Sequence, residues 1–162
     1  MTKLTPHFTL EEFTRSDYAA AHGIDNSLPP NYLETLQSTA HLAERIRTAL
    51  STISGKDVPI LISSGWRCPA LDLALRGRSK TGDHAKAMAF DFTAPAFGTP
   101  YQIAKALVPT IGALGIGQLI YERPVAGREW VHVSIRSPDK IMNKVITITP
   151  EGPELGIQAS GS

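Results

Sequence analysis

The chain has 162 residues, of which 42% are apolar, 19% charged and 7% aromatic, the size and balance of one ordinary folded domain, and this excludes disorder throughout. Its 16 Lys and Arg against 15 Asp and Glu leave a net charge of +1, so bulk charge gives no pull toward nucleic acid and specificity must come from a local site. The single cysteine, Cys68, excludes an internal disulfide framework and a cysteine-rich zinc finger.

No stretch of about 18 apolar residues is present and the first residues lack the apolar core of a secretory signal, so cytoplasmic synthesis without membrane insertion is expected. Thr9 stands three residues before Glu12, the spacing of a reciprocal helix cap, and predicts a short helix over the following residues. Gly23 to Pro30 collects turn formers. From Asn31, Leu33, Leu36, Ala40, Ala43, Ile46 and Leu50 recur at steps of three and four, the period of the main helix.

Ser54-Gly55-Lys56-Asp57 breaks that pattern, and Val58 to Ile62 reads as a short β-branched strand ending at Gly65. A short helix is expected over Ala70 to Leu75, a basic loop over Arg76 to Gly82, a strand over Met88 to Thr93 and a helix over Pro100 to Leu107. Gln118 to Tyr121 and Trp130 to Ile135 read as two strands of a hairpin around Arg123 to Arg128, and Val145 to Ile148 as an edge strand. Pro150 to Ser162 reads as a polar tail, so one domain is expected over residues 1–149, an α+β unit with helices on one side of a small, mainly antiparallel sheet.

Two of the five histidines keep unusual company: His84 stands seven residues before Asp91, and His132 lies in the strand Trp130-Val131-His132-Val133-Ser134. Two imidazoles and one carboxylate make a three-ligand set suited to catalytic zinc, because the fourth tetrahedral position stays open. Taken alone, the spacing is a weak signal, and a pair of ordinary histidines with a helix-capping or salt-bridged aspartate accounts for it more often. Cys68 offers a rival nucleophile if its thiolate pairs with His84 or His132, although a lone cysteine in a turn is more often a small packed residue. His7, His22 and His41 have no partner pattern, and Trp66 and Trp130 suit either a substrate groove or the core.

Ser63-Ser64-Gly65-Trp66-Arg67-Cys68-Pro69, then His84-Ala85-Lys86-Ala87-Met88-Ala89-Phe90-Asp91, then Trp130-Val131-His132 occur in this order. Together with Phe8-Thr9-Leu10-Glu11-Glu12-Phe13 and Gln118-Leu119-Ile120-Tyr121-Glu122, they resemble the zinc D-Ala-D-Ala peptidase family, most of all its phage-associated branch, over roughly Phe8 to Ser137. The resemblance implies a fold shared with hedgehog-type domains, zinc held by His84, Asp91 and His132, and Arg67 meeting the substrate. Ala87 stands where the family signature has glycine, and a positive φ there would strain the chain.

Such an enzyme also needs a carboxylate to move a proton between water and the leaving amine. Glu129 has the Glu-x-x-His spacing to His132 seen in the family's dipeptidases, and Glu122 stands at the strand end that the phage-associated branch tends to carry. In a regular strand Glu129 and His132 point to opposite faces, so Glu129 needs a bulge or strand end, whereas Glu122 shares the His132 face if the hairpin pairs it with Trp130; this leans toward Glu122 and keeps Glu129 as a candidate. The resemblance thus implies a monomeric, zinc-dependent hydrolase of peptide stems in bacterial peptidoglycan, a D,D-carboxypeptidase or endopeptidase of endolysin or virion-associated type, reaching the wall after release. The alternative is a non-catalytic zinc-stabilised domain that binds cell wall or protein.

Overall fold

The computed structural model describes residues 1–75, 82–136 and 144–160, so most of the basic loop expected over Arg76 to Gly82 lies outside the described residues. The reciprocal cap between Thr9 and Glu12 opens α1 (Leu10–Thr14), whose Phe13 is fully buried. Ser16 caps α2 (Asp17–Ala21), a helix absent from the sequence reading because its single buried side chain, Ala19, makes no period. The main helix, α3 (Leu33–Ser54), ends at Gly55 in the left-handed conformation with φ 74°, which glycine adopts without a Cβ clash. Its inner stripe comprises Leu36, Ala40, Ala43, Ile46 and Leu50 as the spacing requires, with Leu42 and Thr39 added, whereas Leu33 in the first turn stays exposed. Further along come α4 (Pro69–Leu75), α5 (Pro100–Leu107), opened by a Thr99–Gln102 capping box, and α6 (Ile111–Leu114).

Six strands, β1 (Leu61–Ser64), β2 (Ala89–Thr93), β3 (Ile116–Val125), β4 (Arg128–Ile135), β5 (Lys144–Thr149) and β6 (Gly152–Leu155), form one sheet in the order β1-β2-β4-β3-β5-β6. Every neighbouring pair is antiparallel except β3 with β5. The fold is therefore α+β with a mainly antiparallel sheet. The hairpin is tighter than the six-residue loop expected, since Val125 pairs with Arg128 and Gly127 takes φ 81° in the turn.

Two expectations at the C-terminal end are corrected. β5 is not an edge strand but lies between β3 and β6, and the segment read as a polar tail from Pro150 contributes β6. Pro153 lacks an N–H and pairs opposite Ile148 on the outermost strand, the one place in a sheet where proline costs little. A prolyl-glycyl-rich stretch thus concealed a strand.

The pleat sorts the sheet into two faces. Leu119, Tyr121, Phe90, Phe92, Val131 and Val133 point to the helices and join α3 and α5 residues in the main core, where Phe90 and Phe13 meet edge to face at 5.9 Å. Each such side chain, fully buried, contributes about 1.5–3 kcal/mol. The alternate residues, among them Asp91, His132, Ile120 and Glu122, occupy the opposite face, where Ile120, Ile146 and Ile148 make a smaller apolar cluster.

Candidate metal centre

The site begins at the turn after β1. Gly65 lies so close to α1 that a Cβ would stand 2.7 Å from the Phe13 carbonyl oxygen, and the Trp66 N–H donates to that oxygen at 2.7 Å. Only glycine permits this approach. Asn26 clamps the same turn: its amide donates to the carbonyls of Thr14 (2.8 Å) and Trp66 (3.0 Å), and its oxygen accepts the Cys68 N–H at 2.7 Å. Arg67 is held between them, its Nε donating to Ser64 Oγ at 3.0 Å and its guanidinium 3.2 Å from Asp91 Oδ2 and 3.8 Å from Asp72.

The Arg67 N–H donates to the carbonyl of His84 at 3.1 Å, which joins this turn to the single helical turn His84–Lys86. His84 returns the contact, with Nδ1 2.7 Å from the Gly65 carbonyl oxygen. A carbonyl only accepts, so in the neutral ring Nδ1 carries the proton and Nε2 presents its lone pair. Ala87 then adopts φ 60°, the left-handed conformation that the missing glycine would favour. The Thr39 hydroxyl of α3 donates to its carbonyl at 2.7 Å and pins the strained residue. From there β2 delivers Asp91 directly opposite His132 of β4.

His84, Asp91 and His132 are each at most 5% exposed. Asp91 Oδ1 lies 3.3 Å from His84 Nε2 and 3.0 Å from His132 Nδ1, and one ligand atom from each residue falls within 4.8 Å of the others. Tetrahedral coordination at about 2.0–2.1 Å per bond spaces ligand atoms by about 3.3 Å, so the observed separations and the donor set fit a zinc-like cation. Burial opposes ionisation of Asp91, but the two imidazoles outweigh it and hold the carboxyl well below its usual range, as an anionic ligand requires.

The two candidate carboxylates part company. Glu122 pairs with Trp130 across the hairpin, shares the His132 face, and brings Oε1 within 3.9 Å of His132 Nδ1. Burial first, and then the charge of Asp91, push its pKa up to about 7 against the opposing pull of His132 and Arg67. Glu129 instead accepts the hydroxyl of Tyr121, a core residue on the opposite face. The structure therefore brings Arg67, His84, Asp91, Glu122 and His132 together and turns Glu129 away from them.

Cys68 packs half-buried against the core, and the partners of both histidines lie elsewhere. His7 pairs with Glu44 and His22 stacks on Tyr18. Trp66 is buried beside Tyr32, while Trp130 lies half-buried next to Glu122's strand position. Sequence reasoning missed Asn26, Thr39 and Gly65's approach to α1. Asn26 stood in a run of turn formers with nothing to tie it to a segment 40 residues away, and Thr39 looked like a polar residue on a helix.

Comparison with known proteins agrees with this geometry. No curated protein matches the chain. The Peptidase M15 family pattern matches residues 6–134, most of the chain, running from before α1 into β4 and enclosing Arg67, His84, Asp91, Glu122 and His132. Since the cluster able to hold a metal lies wholly inside the matched segment, the chain belongs to the Peptidase M15 family.

Proposed function

We propose that this Peptidase M15 member is a zinc enzyme that hydrolyses a peptide bond in bacterial peptidoglycan, as a D,D-carboxypeptidase or endopeptidase of the endolysin or virion-associated kind. The observation that carries the reading is the placement of a buried carboxyl of raised pKa, Glu122, 3.9 Å from His132 on the face that holds the His84–Asp91–His132 cluster. A metal held only for structural support has no use for that carboxyl or for Arg67. His84 Nε2, Asp91 Oδ1 and His132 Nδ1 would hold zinc, which when bound acidifies water and polarises a carbonyl.

Glu122 Oε1 takes the proton of the attacking water and hands it to the leaving amine. A carboxyl whose pKa lies near 7 is matched to both transfers at neutral pH. Arg67, fixed by Ser64, Asp72 and Asp91, turns its remaining N–H groups to the developing oxyanion or to a substrate carboxylate.

Incubation with isolated peptidoglycan, with and without a chelator, followed by mass spectrometry of the soluble products, tests the reading. Chelator-sensitive products are expected and their masses name the bond. Intact walls of several cross-link types, in the presence of folded, zinc-loaded protein, would refute it, as would a His132→Ala protein with full activity.

A further inference from the structure

Each histidine of the cluster has one nitrogen for the metal and one left over. For His84 the left-over Nδ1 has a fixed acceptor, the Gly65 carbonyl at 2.7 Å. For His132 the roles of the nitrogens are reversed: Nδ1 faces Asp91 at 3.0 Å, and Nε2 is buried without a hydrogen-bond partner among the described residues. Once Nδ1 gives its lone pair to the metal beside Asp91, the neutral ring carries its proton on Nε2, which is then a buried donor.

The register of β3 and β4 places an acceptor on the same face. Gln118 stands opposite Ser134 and Ile120 opposite His132, so Gln118 and His132 are diagonal neighbours, a separation that long side chains span. Gln118, Ser134 and His132 are only 4%, 2% and 1% exposed. Gln118 Oε1 is itself buried with no partner among the described residues. A buried amide oxygen and a buried imidazole N–H, both unsatisfied and on one patch of sheet, are complementary, and natural proteins seldom leave such groups unpaired.

We infer that Gln118 is a positioning residue for the metal centre, its Oε1 accepting the Nε2–H of His132 either directly, by rotation about its own side-chain bonds, or across one bridging water. The bond fixes both the tautomer and the ring plane that aim Nδ1 at the cluster, as the Gly65 carbonyl does for His84. An amide suits this place because it accepts the proton without adding charge beside Asp91 and Glu122. The inference rests on the proposed zinc site, which the test separates from it.

Zinc affinity is measured by competition with a chromophoric chelator for the parent, Gln118→Leu and Gln118→Glu proteins. Loss of the acceptor in Gln118→Leu is expected to weaken zinc binding about 10–100-fold, while Gln118→Glu, which keeps an acceptor oxygen, retains it. In ¹⁵N-histidine-labelled, zinc-loaded parent the His132 Nε2–H resonance should persist against exchange with water, a readout independent of how well any variant folds. A parent that binds no zinc sinks the zinc site and this inference with it. A parent that binds zinc, with Gln118→Leu binding equally well or an Nε2–H exchanging as fast as free imidazole, overturns the role of Gln118 alone.

Discussion

Thr39→Val tests how the long helix controls the loop between two candidate ligands. The substitution keeps the volume of a fully buried side chain and removes only the hydroxyl that donates to the Ala87 carbonyl at 2.7 Å. The carbonyl is then buried without that donor, at a cost of about 1–3 kcal/mol. Ala87 already sits at φ 60°, where an L-residue bears roughly 1–2 kcal/mol of steric strain, and its own N–H makes only a long 3.3 Å bond to His84. A loss of about 2 kcal/mol is expected, which for a domain of this size lowers Tm by about 4–8 °C. Urea denaturation of the metal-free protein measures the stability, and chelator competition the zinc affinity, which should fall because Ala87 is three residues from His84. Thr39→Ser keeps the donor and should recover most of both. If Thr39→Val stays within about 0.5 kcal/mol of the parent, with zinc affinity unchanged, the bond does not hold the loop and the reasoning fails.

The remaining predictions concern the turn and the carboxyl. Gly65→Ala forces a Cβ against Phe13 backbone atoms, and should lower stability by more than about 2 kcal/mol and weaken metal binding through the displaced carbonyl of residue 65; a thermal melt matching the parent would contradict the close approach. Asn26→Ala removes two hydrogen bonds to the Arg67 turn and one to the Thr14 carbonyl at the end of α1, and should cost on the order of 3 kcal/mol, read by denaturant midpoint. Glu122→Gln should abolish peptide hydrolysis while leaving zinc binding intact, checked by product mass and metal content. In the metal-free protein the folded-state pKa of Glu122 is raised from 4.5 to about 7, so its ionisation costs nothing below pH 4.5 and destabilises progressively up to pH 7, by on the order of 3 kcal/mol. Glu122→Gln should therefore match the parent at pH 4 and exceed it in stability at pH 8; parallel pH profiles would show that the carboxyl is not buried in this way.

Local chemistry made much of the molecule legible. The Thr9 and Thr99 caps and the three- and four-residue spacing of α3 are short-range signals, whereas parity only leaned toward Glu122 over Glu129, and it is the observed pairing of residue 122 with residue 130 that puts Glu122 on the His132 face. The glycine missing from the signature at position 87 pointed to the positive φ found there. What stayed hidden was long-range or masked by composition. The parallel pairing of β5 with β3 leaves no mark in a six-residue strand, and β6 hid behind Gly152 and Pro153. Asn26 and Thr39 act on segments 40 and 48 residues away, and no local pattern encodes such partners.

Asp91 and His132 stand 41 residues apart in sequence and meet only because β2 lies between β1 and β4. Neither the β3–β4 hairpin nor the β1–β2 pair contains the whole cluster, so closing the longest of these loops is the step that creates it. Nascent chain therefore offers a cation at most two neighbouring ligands, His84 and Asp91, and strong capture awaits completion of the sheet. Metal uptake in this protein becomes a report on finished topology: a chain that has paired its strands wrongly carries every ligand and still has no centre.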